Sequence, residues 1–202
     1  MFAAVENGDA LELAELIKQD PGFNINTNRD EEGLTLLHSA CIYGRRSPVI
    51  PLLLAHPDIN VNSRDIYGNT PFSWACRGRT PCLREMLKDS RVKVNEPDTN
   101  GYTPLWAVAS DGHLEVIKWW IASGREMELG EPGDVFTDAI GVAKNRGRTK
   151  VVALLERFKS DASKTRHAVR VELGWYEKLA AEMFALVVFV SDGLLNTKAT
   201  PE

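Results

Sequence analysis

Gly33-Leu34-Thr35-Leu36-Leu37-His38-Ser39-Ala40-Cys41, Gly68-Asn69-Thr70-Pro71-Phe72-Ser73-Trp74-Ala75-Cys76 and Gly101-Tyr102-Thr103-Pro104-Leu105-Trp106-Ala107-Val108-Ala109 are one motif written three times. The glycines stand 35 and 33 residues apart, and an acid precedes each by three residues, at Asp30, Asp65 and Asp98. Self-similarity at such a period marks a stacked array of small units. The rest of each unit repeats as well. Pro48-Val49-Ile50-Pro51-Leu52-Leu53-Leu54, Leu83-Arg84-Glu85-Met86-Leu87 and Leu114-Glu115-Val116-Ile117-Lys118-Trp119-Trp120-Ile121 each supply a second apolar helix, and Asp58-Ile59-Asn60-Val61-Asn62 is mirrored by Val92-Lys93-Val94-Asn95.

The residue types fit helix–turn–helix units. Thr70-Pro71 and Thr103-Pro104 place a capping oxygen before a proline at the first helical position, where no N–H partner is needed. Ser47-Pro48 and Thr80-Pro81 read the same way for second helices. Gly44 and Gly112 follow first helices where a left-handed cap is favoured, and Gly33, Gly68 and Gly101 sit in turns that call for positive φ. Leu, Val, Ala and Cys at helical spacing bury one face against each neighbour. No single unit can bury that face alone, so the stack is the folding unit.

Two degenerate units flank the three clear ones: Phe2-Ala3-Ala4-Val5-Glu6-Asn7-Gly8-Asp9 with Leu11, Leu13, Leu16 and Ile17, and Thr137-Asp138-Ala139-Ile140-Gly141-Val142-Ala143 with Val151-Val152-Ala153-Leu154-Leu155. Together these motifs resemble the ankyrin repeat. The resemblance implies an all-α ankyrin-repeat solenoid with short β-hairpin turns. The expected units are 1–29, 30–64, 65–97, 98–130 and 131–158, forming an array over 1–158, with a helical segment over 159–202. Three departures stand out. Leu36 takes the place of the proline, Ser73 and Trp106 take the place of His38, and the turn around Arg77-Gly78-Arg79-Thr80 is one residue short. The hydrogen bond of the repeat's histidine is therefore expected once and missing twice.

The resemblance also implies that hairpin tips and the exposed ends of first helices line a concave face that binds a protein partner. In this chain those positions are Glu31, Glu32, Leu34, Ile42 and Tyr43, then Ile66, Tyr67, Asn69 and Arg77, then Thr99, Asn100, Tyr102, Ser110 and Asp111. Tyrosine and arginine dominate binding hot spots, so Tyr43, Tyr67 and Tyr102 are expected to form an aromatic stripe; the alternative is that Tyr43 and Tyr67 pack against adjacent hairpins. Trp119 is expected in the core, with Trp74 and Trp120 open.

Catalytic and metal readings find little support. His38 near Cys41 lacks the two further ligands that a zinc site needs, and His38-Ser39 with Asp111-Gly112-His113 suggests a hydrolase by composition alone, whereas a triad is recognised by geometry and roles. The chain contains no HExxH, CxxC, GxSxG, GxxxxGK[ST] or strand-borne GxGxxG motif. No catalytic residue, metal or cofactor is expected. Cys41 and Cys76 hold equivalent places on stacked helices about 8–10 Å apart, too far for a disulfide, and read as small core residues.

The formal net charge is −4, which argues against a dedicated nucleic-acid binder. The charge is uneven, at −8 over 1–141, +7 over 142–170 and −3 over 171–202. The basic stretch, with Lys144, Arg146, Arg148 and Lys150, offers an alternative function in which it binds an anionic membrane surface or ligand. The longest apolar run, 183–190, has eight residues, well short of the roughly 20 needed to span a bilayer. There is no signal-peptide pattern at the start. A monomer in the cytoplasm is expected, with the nucleus left open. Residues 159–166 are polar and small and read as a connector. From 167 to 192, Trp175, Tyr176, Leu179, Met183, Leu186, Val187 and Val190 recur at near-helical spacing and are expected to cap the last repeat, with Gly193 as a stop.

Overall fold

A computed structural model describes residues 1–43 and 48–177. Gly44, Ser47, the apolar run 183–190 and the stop at Gly193 lie outside the described residues. Among the described residues eleven helices follow one another: α1 (Phe2–Asn7), α2 (Ala10–Gln19), α3 (Leu36–Tyr43), α4 (Val49–Ala55), α5 (Pro71–Ala75), α6 (Thr80–Lys88), α7 (Pro104–Asp111), α8 (Leu114–Ser123), α9 (Ala139–Asn145), α10 (Thr149–Ser160) and α11 (Ala162–Glu172). They form two layers. First helices pack α1 on α3, α3 on α5 and α7 on α9; second helices pack α2 on α4, α4 on α6 and α6 on α8. Among the described residues there is no strand, and the hairpins are turns closed by short pairs of backbone bonds, such as Gly68 N to Asp65 O at 2.9 Å and Asp65 N to Asn69 O at 3.0 Å.

From α3 onward each first helix starts where a side-chain oxygen satisfies a free N–H, while α1 starts from Met1 without a side-chain cap. Thr70 accepts from Ser73 N and Thr103 accepts from Trp106 N, both at 3.2 Å. The expected cap at Thr80 is corrected. Thr80 is already helical, and α6 begins from Arg79 with no side-chain cap. Fully buried Leu36, Leu37, Ala40, Cys41, Phe72, Ala75 and Ala143 fill the gap between layers. The alanines at matching positions allow the helices to approach closely. Cys41, Cys76 and Cys82 are buried, and none is in a disulfide. Trp119 is buried as expected. Trp120 is wholly buried too, packed edge-on against Phe72 at 5.0 Å, with its indole N–H donating to the Glu126 carbonyl at 3.0 Å.

The repeats are also tied by polar side chains. Asn26 Nδ2 donates to Asp58 O at 2.7 Å while its Oδ1 accepts from Asn60 N at 2.8 Å. Asn62 does the same one repeat on, with Arg91 O at 2.9 Å and Lys93 N at 2.8 Å. Asn95 Oδ1 then accepts from Glu128 N at 3.4 Å.

The polar stretch 159–166, expected as a connector, is helical. Asp161 breaks the chain direction with an extended backbone and accepts from Lys164 N at 2.9 Å, and α11 starts at once. α11 packs on α8 and α10. Its buried positions are Thr165 and Val169, and Trp175 beyond it meets Trp119 at 5.6 Å. Much of the +7 charge of 142–170 has a structural use. Arg166 Nε donates to Ile121 O at 3.2 Å, Arg170 Nε to Ala122 O at 2.7 Å and Arg148 Nε to Ser110 O at 3.0 Å. These arginines satisfy the last carbonyls of α8 and α7, where a cation is also favoured by the helix dipole.

Candidate functional site

The hairpin tips are built by one device used four times. Asp30 Oδ1 accepts from Glu32 N, Asp65 Oδ1 from Tyr67 N and Asn69 N, Asp98 Oδ1 from Asn100 N and Tyr102 N, and Asp134 Oδ1 from Phe136 N and Thr137 N, at 2.8–3.1 Å. The carboxylate closes the turn on itself, which explains the acid three residues before each glycine. Gly33, Gly68 and Gly101 have φ of 77°, 78° and 89°. Neighbouring tips are joined by Ile66 N donating to Glu32 O at 3.0 Å and Thr99 N donating to Tyr67 O at 2.9 Å. The bonds in Asp134's turn hold its carboxyl below the usual carboxylate range.

On this frame, Glu31, Glu32, Tyr43, Ile66, Tyr67, Arg77, Thr99, Asn100 and Asp111 are exposed, and Ile42 and Tyr102 are half-buried. Leu34, Asn69 and Ser110, expected on the surface, are buried. Leu34 turns into the stack. Asn69 is held by the Asp65 carboxylate, and its carbonyl takes a bond from His38. Ser110 packs beneath Arg148, which its carbonyl engages. These three positions are structural.

Exposed apolar groups run along the tips: Ile66 at 58%, Tyr67 at 52%, Val135 at 68% and Phe136 at 44%. Tyr43, at 47%, lies under the Arg29 guanidinium at 5.7 Å rather than in a neighbouring hairpin. Tyr102 lies between Trp106, at 4.3 Å, and Phe136, at 5.2 Å. Trp74 donates its indole N–H to Asp65 Oδ2 at 3.0 Å and carries Arg77 over its ring at 4.2 Å. The sequence reading missed Val135, Phe136 and the packing role of Trp106. The fourth hairpin lacks the Gly-x-Thr signature that drew attention to the others; its signal is Asp134, placed ahead of the capping Asp138.

His38 is fully engaged. Its Nε2 faces the Asn69 carbonyl at 3.1 Å, so Nε2 carries the proton, and Nδ1 accepts from Thr35 N and Thr35 Oγ1 at 3.2 and 2.9 Å. Burial holds its pKa below the ordinary histidine value. Ser73 reproduces the local half of this arrangement by bonding to Thr70, and Trp106 turns outward to Tyr102. Among the described residues no three His, Cys, Asp or Glu side chains are grouped to hold a metal, and no helix is long and apolar enough to cross a membrane.

The architecture is that of a helix–turn–helix solenoid presenting a row of hairpin tips. The chain belongs to the ankyrin-repeat family: the family model for ankyrin repeats (3 copies) matches residues 1–98 and 49–130. It is similar to the human SMC5-SMC6 complex localization factor protein 1, with 31% identity over 71% of this chain and 14% of that protein. It is similar to the tyrosine-protein kinase Shark of Drosophila melanogaster, with 26% identity over 82% of the chain and 17% of the kinase. It is also similar to human Rabankyrin-5, with 32% identity over 50% of the chain and 9% of that protein. The chain thus spans under a fifth of each of these relatives. Ankyrin repeats generally mediate protein–protein interaction.

Proposed function

We propose that the chain is a non-catalytic adaptor that recognises a protein partner through the face formed by its hairpin tips and first-helix ends. The observation that carries this reading is the row of Ile66, Tyr67, Val135 and Phe136, exposed on turns that internal bonds hold rigid. Rigid aromatic groups lose little entropy on binding and make the strongest anchors. Tyr43 and Tyr102 extend the row toward the first helices. One relative is named as a localization factor for a protein complex and another as a kinase. What such different proteins have in common over the matched stretch is the array, so recognition is the role that carries over. Three buried thiols fit a reducing compartment, cytoplasm or nucleus. We take 1–158 as the recognition array and 159–202 as its C-terminal extension.

The test compares affinity capture by wild type and by Tyr43→Ala/Ile66→Ala/Tyr67→Ala, after thermal melts establish equal folding. Proteins held by wild type and lost from the variant support the reading. Identical captured sets from both would overturn the tip face as the binding site.

A further inference from the structure

Three turns between first and second helices line up along the edge opposite the hairpin tips. Arg77-Gly78-Arg79-Thr80 and Arg146-Gly147-Arg148-Thr149 are the same four residues two repeats apart, with Asp111-Gly112-His113-Leu114 between them. The edge is continuous. A methyl group added at Gly78 would lie 3.1 Å from His113 Cε1, and one at Gly112 would lie 2.8 Å from Arg148 Cδ. Arg79, His113 and Arg148 occupy the same backbone position ahead of α6, α8 and α10, with φ/ψ of −88°/62°, −74°/71° and −82°/62°.

Arg77, Arg79, Arg146 and Arg148 are all exposed. Two are set in place, Arg77 by the Trp74 ring and Arg148 through its Nε, and among the described residues no hydrogen bond engages the terminal nitrogens of either. No ion pair engages any of the four among the described residues. The acid on the edge is Asp111, 3.9 Å from His113, and the nearby Lys144–Glu156 pair at 2.7 Å is self-neutralised. A chain of net charge −4 therefore gathers four unneutralised guanidiniums on one line.

We infer that this edge takes an acidic stretch of the protein partner, whose carboxylates pair with Arg77, Arg79, Arg146 and Arg148. Two repeat spacings set the span at about 20 Å, which about six extended residues cover. Guanidinium forks suit carboxylates in bidentate geometry. A nucleic acid is less well matched, because its phosphates continue past this short line and the surrounding array, 1–141, carries a net charge of −8. A membrane is less well matched because none of the exposed large apolar residues lies in the three turns. The inference rests on the adaptor reading and names the chemistry of the partner.

The experiment is fluorescence anisotropy at low salt with a labelled ten-residue Asp/Glu-rich peptide. Its comparisons are the Asn/Gln version of that peptide, a ten-nucleotide oligo-dT and phosphatidylserine vesicles. The expected result is binding of the acidic peptide alone, weakened about tenfold by Arg79→Gln/Arg146→Gln and by neither Lys159→Gln/Lys164→Gln nor the tip variant. Arg79 and Arg146 make no side-chain bond among the described residues, so the variant should melt like wild type. Arg77→Gln/Arg146→Gln provides a second pair. No peptide binding, binding insensitive to both pairs, or tighter binding of oligo-dT or vesicles would each overturn the inference. Partner capture lost in the tip variant but kept in both edge pairs would leave the adaptor reading standing and remove the edge.

Discussion

His38 shows how much one side chain contributes to the stack. It bonds within its own turn through Thr35 and across the repeat boundary through Asn69. Removing it strands a buried N–H and a buried carbonyl, so His38→Ala should lower stability by about 2–4 kcal/mol, read from urea denaturation. The pH dependence has a definite sign. The folded pKa is lowered, so between the unfolded value of 6.5 and the lower folded value the unfolded chain binds more protons. The His38 contribution is present in full above pH 6.5 and declines as pH falls toward the folded pKa. Wild type should lose urea midpoint on going from pH 7 to 5.5. His38→Gln should lose less over the same range, and parallel curves would show that another group titrates. The sequence located this histidine by its place in the motif, but not the partner at Asn69, because that contact spans a full repeat.

Among the elements, the hairpins were the most legible, since Gly68 and its equivalents announce positive φ. Their packing was not legible. A methyl group at Gly68 would stand 2.7 Å from Thr99 N, in the next tip, so this glycine is required by approach as well as by φ. Gly68→Ala should cost about 2 kcal/mol or more, measured by thermal melt, while Gly147→Ala, with open space around the glycine, should cost only the conformational part. α11 was misread for a physical reason. A short helix with two buried positions, Thr165 and Val169, gives little apolar period, and its Ala-Ser-Lys start reads as a loop. Its helicity comes from packing on α8 and from the arginines that bond Ile121 and Ala122, contacts 45 and 48 residues distant in sequence. The tip residues were located by alignment, and the errors at Leu34, Asn69 and Ser110 arose because motif position fixes a backbone site but not the direction of a side chain.

For the whole molecule, a repeat array is only as cooperative as its interfaces, and an end unit with an uncovered apolar face is the first to open. α11 covers α8 here, where an outer-layer neighbour would otherwise stand. It buries Val169, Trp175 just beyond it is half-buried against Trp119, and Glu172 takes a bond from Lys118 at 2.8 Å, which adds to the lysine's bond to Glu115 in raising its pKa. Exposed ion pairs contribute little, so Glu172→Gln should leave the melt nearly unchanged. Arg170→Ala should cost more, about 1–2 kcal/mol, because it leaves the Ala122 carbonyl without its charged donor. Deleting the helix is the decisive comparison. Chains ending at 177 and at 161 share every repeat contact from α1 to α10 and differ in α11 and the few residues after it. If α11 belongs to the folded stack, the shorter chain should melt several degrees lower, with hydrogen exchange accelerated first in α8 and α10 while α3 and α5 stay protected. If the two melt together with equal protection in α8, α11 is an appendage, and the array is stable without it.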